Sequence, residues 1–273
     1  MRHHTPRPIP ALDDIKLLAL DIDGTLVTRW NHIPKHVIAT IRAVAEHGVK
    51  VMLASARPPI SVRLIMEILG LHGYAVSLNG AIVLDDNTEV AIKHSLGEDN
   101  VRHVVASAKQ SGVTTCLYSE SAWYTEVINP VVEHEAIVVG APPVMADAIE
   151  AHAAEAAKLL LVGEHDTLLP LQHQGRDLGL ACEFSVPSFL EMTAPSATKG
   201  QGLAFVLDTL GIDRKHAIAI GDGHNDIGML KLAGYSAALG NAPMDVRDHA
   251  DIVLDTVYNG GVGHFLLRLL QNS

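Results

Sequence analysis

A short apolar run near the start of the chain, IKLLAL at residues 15–20, ends at two aspartates, Asp21 and Asp23, that flank a single isoleucine. Three other runs have the same uninterrupted apolar character and lie at residues 49–55, 216–221 and 235–240. Runs without polar alternation are typical of parallel strands that are covered on both faces. The chain is also 48% hydrophobic, which is enough to form such a core. These runs therefore predict a buried parallel sheet.

Amphipathic segments separate the apolar runs. Helical spacing of apolar residues predicts helices at residues 34–47, 59–69 and 200–210, and a glycine follows each of them. Strand–helix alternation at both ends of the chain is the pattern of an α/β fold. We therefore predict a doubly wound parallel-sheet core of the Rossmann-like type.

The middle of the chain, residues 84–188, has a different pattern. It carries helical stretches at residues 100–111 and 164–174, and strand-like runs at 113–118, 122–128, 158–163 and 180–186. We interpret it as a smaller α/β domain inserted into the first. On this interpretation residues 1–83 and 189–273 form the core domain.

Charge and composition narrow the classes of function. The 20 basic and 31 acidic residues give a net charge of −11, which argues against nucleic acid and anionic membranes as partners. No apolar run has the length of a membrane span, and the first residues lack a signal-peptide pattern, so we expect a cytoplasmic protein. The two cysteines form no disulfide framework or zinc set. The sequence gives no indication of the oligomeric state.

Polar residues follow three of the predicted strands. Asp21, Ser55 and Asp222 each stand at the carboxyl end of a strand, and Lys199 opens the helix before the last of these strands. Ligands of open α/β sheets bind at this edge. We therefore expect these side chains to meet in one site.

Such a set supports phosphoryl chemistry. Carboxylates as close as Asp21, Asp23 and Asp222 repel one another unless a cation lies between them, and oxygen ligands suit Mg²⁺. One carboxylate can then attack phosphorus while a second transfers protons. Lys199 and Ser55 can bind the phosphoryl oxygens, where charge must be stabilised.

Four ordered motifs resemble those of the haloacid dehalogenase superfamily of phosphatases. They are DIDGTL (21–26), SAR (55–57), TKG (198–200) and GDGHND (221–226). Further segments resemble its Cof-type branch, namely SLNGA (77–81), LGNA (239–242), AD (250–251) and NGGV (259–262). That branch carries a large α/β cap between the second and third motifs, where this chain has its inserted segment.

The resemblance implies roles at the acidic residues. Asp21 is the expected nucleophile and Asp23 the expected acid and base. The expected Mg²⁺ ligands are Asp21, the backbone carbonyl of Asp23, and Asp222.

The resemblance also implies the residues around the phosphoryl group. The expected phosphate-binding residues are Ser55, Lys199 and Asn225. The expected substrate-side and supporting residues are Arg57, Asn79, Gly80 and Asp226, with Asp226 orienting the metal site or Lys199.

Some residues of the motifs leave their roles open. The middle of the second motif is often glycine in this family and is Ala56 here, where a methyl group approaches the phosphate loop. His224 either touches the substrate or faces solvent. Thr198 has the position of a helix N-cap, so part of the third motif also serves to start the helix that follows it.

The sequence thus predicts a Mg²⁺-dependent phosphatase acting on a small phosphorylated metabolite, with a sugar phosphate implied by the resemblance alone. One alternative is a phosphomutase of the phosphomannomutase type, which returns the phosphoryl group to the sugar and releases no free phosphate. A second is a binding or regulatory module without activity, which the intact set of acidic residues and Lys199 disfavours.

Overall fold

The computed structural model of the chain describes residues 7–28 and 32–272. Its strands, numbered along the chain, are β1 (Leu17–Asp21), β2 (Lys50–Ala54), β3 (Ala75–Ser77), β4 (Ile82–Leu84), β5 (Val90–Lys93), β6 (Thr114–Tyr118), β7 (Trp123–Thr125), β8 (Val144–Met145), β9 (Lys158–Val162), β10 (Ala181–Val186), β11 (Phe189–Thr193), β12 (Ala217–Gly221), β13 (Tyr235–Ala238) and β14 (Ile252–Val253).

The α-helices, in the same order, are α1 (Lys35–Glu46), α2 (Pro59–Leu69), α3 (Glu98–Gln110), α4 (Pro130–Val139), α5 (His165–Asp177), α6 (Lys199–Leu210), α7 (Ile227–Leu232), α8 (Met244–Arg247) and α9 (Gly261–Leu270). Short 3₁₀ turns lie at Leu12–Asp14, Leu78–Gly80, Ile149–Glu155, Arg214–His216, His224–Asp226 and Val257–Asn259. No helix in the described ranges is both long and apolar enough to cross a lipid bilayer.

The core is an eight-stranded sheet with the order β14-β13-β12-β1-β2-β3-β4-β5. Its first six strands are parallel, and β4 and β5 add an antiparallel edge. Strand β1 lies in the middle, paired with β12 on one side and β2 on the other. The predicted doubly wound α/β core is confirmed, and each strand and helix predicted for it is present within a few residues of its expected bounds.

Both faces of this sheet are covered, as the apolar runs predict. Leu18 and Leu20 of β1 pack in one cluster with residues of α1, α2 and α9. Leu17 and Ala19 point the other way and pack with residues of α6 and α7. Successive residues of a strand point to opposite faces, so a strand between two helical layers has to be apolar at every position.

A second sheet has six strands in the order β10-β11-β9-β6-β7-β8. Helices α3 and α5 cover one of its faces, and α4 lies on the face that packs in the same cluster as the core. We call this unit, β6–β11 with α3–α5, the cap.

Sheet membership differs from the predicted domain boundaries at both junctions. Strand β5 lies after residue 84 but belongs to the core sheet, and β11 lies after residue 188 but belongs to the cap sheet. Strand β5 is a half-exposed edge strand with an alternating pattern, unlike the buried core strands. Strand β11 pairs with β10 and β9, and the choice of pairing partners cannot be predicted from the local sequence pattern.

The two connections between the sheets touch each other. The side chains of His94 and Ser196 form a hydrogen bond of 3.0 Å between Nδ1 and Oγ. We therefore propose junctions at about residues 94 and 194, where the chain leaves and re-enters the core sheet.

Candidate active site

Three adjacent strands deliver polar residues to one edge of the core sheet. Strand β1 ends at Asp21, β2 is followed by Ser55, and β12 is followed by Asp222. These strands are neighbours and parallel, so their carboxyl ends lie side by side. The juxtaposition expected from the sequence is therefore present.

The buried Lys199 ties two aspartates together. Its Nζ donates to Asp21 Oδ1 at 2.5 Å and to Asp226 Oδ1 at 2.7 Å, and the side chain is only 1% exposed. Thr198 caps the helix that Lys199 opens, since its Oγ1 accepts a hydrogen bond from the backbone N–H of Gln201. The two carboxylates raise the pKa of Lys199 and outweigh the opposing effect of burial, so the ammonium stays charged.

Asp226 organises the fourth motif. While one of its oxygens accepts from Lys199, the other accepts from the backbone N–H groups of Asp222 and Gly223 at 2.9 and 2.8 Å. The side chain therefore fixes both the ammonium and the turn that carries Asp222.

Asp21, Asp222 and Asp226 form an acidic cluster in which one carboxylate oxygen of each lies within 4.8 Å of the others. Burial, followed by repulsion from Asp226 and Asp222, raises the pKa of Asp21, and Lys199 opposes this rise. Burial and then Asp226 raise the pKa of Asp222 to about 6. A divalent cation relieves such repulsion, and an all-oxygen donor set fits Mg²⁺.

Two residues that the sequence left without a role hold Asp222. Thr25 Oγ1 donates to its Oδ1 at 3.2 Å, and Asn241 Nδ2 donates to its Oδ2 at 2.9 Å. The same Asn241 amide donates to the carbonyl of Gly24 at 2.9 Å. Asn241 lies in the LGNA segment, which resembles a motif of the Cof-type branch, but the sequence did not indicate that its side chain binds Asp222.

Asp23 lies apart from the acidic cluster. Arg57 binds its carboxylate at both oxygens, with Nε–Oδ2 and Nη2–Oδ1 distances of 2.8 and 2.6 Å. Arg57 Nη1 also donates to the carbonyl of Val138 in α4 at 2.9 Å. The arginine thus links the Asp23 carboxylate to the cap.

The second motif reaches the site without a glycine. Ser55 is fully buried, and its Oγ accepts a hydrogen bond from the backbone N–H of Arg57 at 3.1 Å. Ala56 has a negative φ, so the backbone at this position does not require glycine. Pro58 and Pro59 form the start of α2, where proline is favoured because the first N–H groups have no helical partner.

The motif around Asn79 connects the core to the cap. Asn79 adopts a left-handed conformation with φ 58°, and its Oδ1 accepts from Asn225 Nδ2 at 2.9 Å. Its Nδ2 donates to Glu191 Oε2 in the cap at 3.3 Å. Neither Glu191 nor its ion-pair partner Lys158 was singled out from the sequence, although a lysine directly before the apolar run LLLV is a visible irregularity.

His224 faces solvent. Its Nε2 lies 2.7 Å from Asp245 Oδ2 in α8, and both side chains are about two-thirds exposed. In this conformation the ring is paired with Asp245 at the surface.

Gly80 makes a close backbone contact that predicts a large effect of substitution. It has φ +107°, and a Cβ built there lies 2.6 Å from the backbone N and C of Thr198. We expect Gly80→Ala to lower the free energy of unfolding by about 3 kcal/mol, measured by urea denaturation, because backbone strain and steric overlap combine. Gly112→Ala is the control, since φ there is +67° and nothing lies within 4 Å. Equal losses in the two variants would show that the contact with Thr198 is unimportant.

Comparisons with known proteins agree with this geometry. A family model described as haloacid dehalogenase-like hydrolase matches residues 18–266. The HMP-PP phosphatases of Citrobacter koseri and Enterobacter sp. are 25% and 26% identical to this chain, over 94% of it and 96% of their own length. A solved haloacid dehalogenase-like hydrolase from Bacteroides thetaiotaomicron superimposes with a TM-score of 0.88 at 28% identity, covering 93% of this chain and 99% of its own. The chain therefore belongs to the haloacid dehalogenase-like hydrolase family, and it is a phosphatase of the Cof-type branch.

Proposed function

We propose that the chain is a Mg²⁺-dependent phosphatase that hydrolyses a small phosphorylated metabolite of the sugar phosphate class through a covalent phosphoryl group on Asp21. The observation that carries this proposal is the convergence of Asp21, Lys199, Asp226 and Asp222 on one strand edge. The family and its phosphatase relatives supply the general activity.

The first step forms a bond between an Asp21 oxygen and phosphorus while the bond from phosphorus to the leaving oxygen breaks. Asp23 donates a proton to that oxygen. In the second step Asp23 takes a proton from water as the water attacks phosphorus, which releases phosphate and regenerates Asp21. The bidentate contact with Arg57 fixes the position of the Asp23 carboxyl group, which gives up its proton in the first step and takes one from water in the second.

Lys199, Ser55 and Asn225 bind the phosphoryl oxygens in this proposal. Lys199, the first residue of α6, brings a permanent positive charge to the phosphoryl oxygens. Asp226, its second carboxylate partner besides Asp21, holds the ammonium in place. The Ser55 oxygen accepts a backbone hydrogen bond, so its own proton can be donated to the phosphoryl group.

Asp21 and Asp222, with the Asp23 carbonyl, would hold Mg²⁺, with Asp226 fixing the turn behind Asp222. When bound, the ion neutralises charge on the phosphoryl oxygens and keeps the carboxylates ionised. The direct test is phosphate release from a panel of phosphorylated metabolites with Mg²⁺ and with EDTA. Activity that persists in EDTA would contradict the metal's role, and isomerised product without free phosphate would favour the mutase.

We expect Asp23→Asn to slow turnover about 10²–10⁴-fold, because asparagine carries no exchangeable acid proton for either step. The measurement is kcat with saturating substrate, together with a burst experiment that detects accumulated phosphoenzyme. Asp14→Asn, an exposed aspartate near β1, is the control. A kcat equal to that of the unsubstituted enzyme would remove Asp23 from the chemistry.

The pKa of about 6 at Asp222 predicts that Mg²⁺ stabilises the protein less at low pH. Between pH 3.8 and about 6, the Asp222 carboxyl group therefore holds a proton in the metal-free folded protein but not in the unfolded chain, where its pKa is the ordinary 3.8. Ionisation of Asp222 therefore destabilises the metal-free folded protein as pH rises through about 6. Below that pH, Mg²⁺ must displace the proton from Asp222 in order to bind. The expected result is a larger increase in Tm with Mg²⁺ at pH 7.5 than at pH 5. An increase that is equal at the two pH values would contradict the assignment of Asp222.

A further inference from the structure

The cap sheet has two faces of different chemistry. Leu117, Leu159 and Leu190 point to one face, where they pack with the apolar residues of α3 and α5. Alternation along a strand places their neighbours on the other face. These neighbours include Tyr118, Lys158 and Glu191, and Tyr118 packs in the same cluster as the core domain. Charged residues thus lie on the side of the cap that faces the active site.

A chain of hydrogen bonds connects this face to the fourth motif. Lys158 Nζ lies 2.7 Å from Glu191 Oε2. That oxygen accepts from Asn79 Nδ2 at 3.3 Å, and Asn79 in turn accepts from Asn225 at 2.9 Å. Asn225 follows Asp222 by three residues, so the ion pair lies close to the proposed phosphoryl site.

The ion pair is largely removed from water. The Lys158 side chain is 6% exposed and that of Glu191 is 16% exposed. Desolvation of two charges offsets most of their attraction, so a buried pair adds little stability compared with apolar residues. Its position beside the site favours a role in binding, and both groups retain hydrogen-bonding capacity, since an ammonium has three donors and a carboxylate several acceptor positions.

The charges around the pair indicate what it binds. Tyr118 donates to Glu135 Oε1 at 2.6 Å, and Lys158 Nζ lies 5.4 Å from the centre of the Tyr118 ring. The cap-face network, which consists of Lys158, Glu191, Tyr118 and Glu135, therefore carries one positive and two negative charges. A second anionic group on the substrate is repelled by this balance, whereas a hydroxyl group can accept from Lys158 and donate to Glu191.

We propose that Lys158 and Glu191 determine substrate specificity by binding hydroxyl groups of the leaving group, so that the preferred substrates are phosphate monoesters of neutral polyhydroxylated compounds. This inference rests on the proposed phosphatase function. It excludes as preferred substrates both apolar phosphate esters and esters that carry an additional carboxylate or phosphate.

Four esters separate these classes: a hexose 6-phosphate, the aldonate 6-phosphate with the same carbon number and one carboxylate, n-hexyl phosphate, and p-nitrophenyl phosphate. We expect kcat/KM with Mg²⁺ to be at least about tenfold higher for the hexose ester than for the aldonate and hexyl esters.

Glu191→Gln removes one charge but keeps an acceptor, so it should raise activity on the aldonate ester relative to the hexose ester.

The double variant Lys158→Met/Glu191→Leu avoids leaving one charge buried alone, which protects the fold. It should lower kcat/KM for the hexose ester about 10- to 100-fold more than for hexyl phosphate. Lys109→Met is the control, because Lys109 is ion-paired to cap glutamates Glu126 and Glu150 but takes no part in the cap-face network. Tm values of all variants identify a general loss of folding.

Equal losses on the hexose and hexyl esters in the double variant would overturn the inference while leaving the phosphatase function intact. A native preference for the aldonate ester would do the same. If all four esters, including p-nitrophenyl phosphate, are inert with Mg²⁺, the proposed function fails and the inference fails with it.

Discussion

Asp21→Asn is expected to abolish phosphate release, lowering kcat by about 10⁴-fold or more. The amide has the same volume as the carboxyl group but lacks the nucleophilic oxygen that attacks phosphorus. The fold should survive, because the amide oxygen can still accept the hydrogen bond from Lys199 and because burial already penalises a charge at this position. The measurements are released phosphate, incorporation of phosphate into the denatured enzyme, and Tm.

Asp208→Asn is the matched control, since Asp208 is an exposed residue of α6, the helix that Lys199 opens. It should retain full turnover. Phosphate incorporated into Asp21→Asn at the rate of the unsubstituted enzyme would show that another residue is the nucleophile.

Lys199→Met is expected to cost both stability and activity. Its removal leaves Asp21 and Asp226 facing each other in the interior, and an uncompensated buried charge costs about 3–5 kcal/mol of unfolding free energy. Loss of a positive charge at the phosphoryl oxygens should also lower kcat about 10³-fold. Urea denaturation and phosphate release measure the two effects separately.

The pH dependence of Lys199→Met distinguishes charge repulsion from lost packing. Without the ammonium nothing opposes the burial and repulsion that raise the pKa of Asp21, so the variant should gain stability as pH falls toward 5, relative to the unsubstituted protein. Lys231→Met, at an exposed position of α7, is the control and should match the unsubstituted protein at each pH. A deficit of stability that does not change with pH would show that the loss comes from packing alone.

Much of the core could be predicted from local patterns. The apolar runs correspond to β1, β2, β12 and β13 because strands covered on both faces must be apolar at every position. Helices α1, α2 and α6 follow from their apolar spacing and from the glycines that end them. Edge strands such as β5 and the two-residue β8 lack that signal, because one of their sides is exposed and alternation is weak over so few residues.

That polar side chains meet at this edge of the core sheet could be predicted from the sequence, but their contacts could not. Motif order identified Asp21, Lys199 and Asp222, and the parallel strands brought them together. That Arg57 binds the Asp23 carboxylate, and that the cap contributes Val138 to the same arginine, depends on how the cap packs on the core. The roles of these residues in the reaction remain predictions for the experiments above.

The sequence by itself determined the α/β core, the presence of an inserted unit and the set of polar residues at strand ends, because these depend on short-range periodicity and on turn chemistry. The tertiary structure decided which strand joins which sheet, how Asp226 divides its oxygens between Lys199 and the backbone, and which cap residues meet the core. The bond from Asn79 to Glu191 spans 112 positions of sequence. Contacts of that kind arise from strand register and from the packing of two sheets, and no local pattern of residues encodes either one.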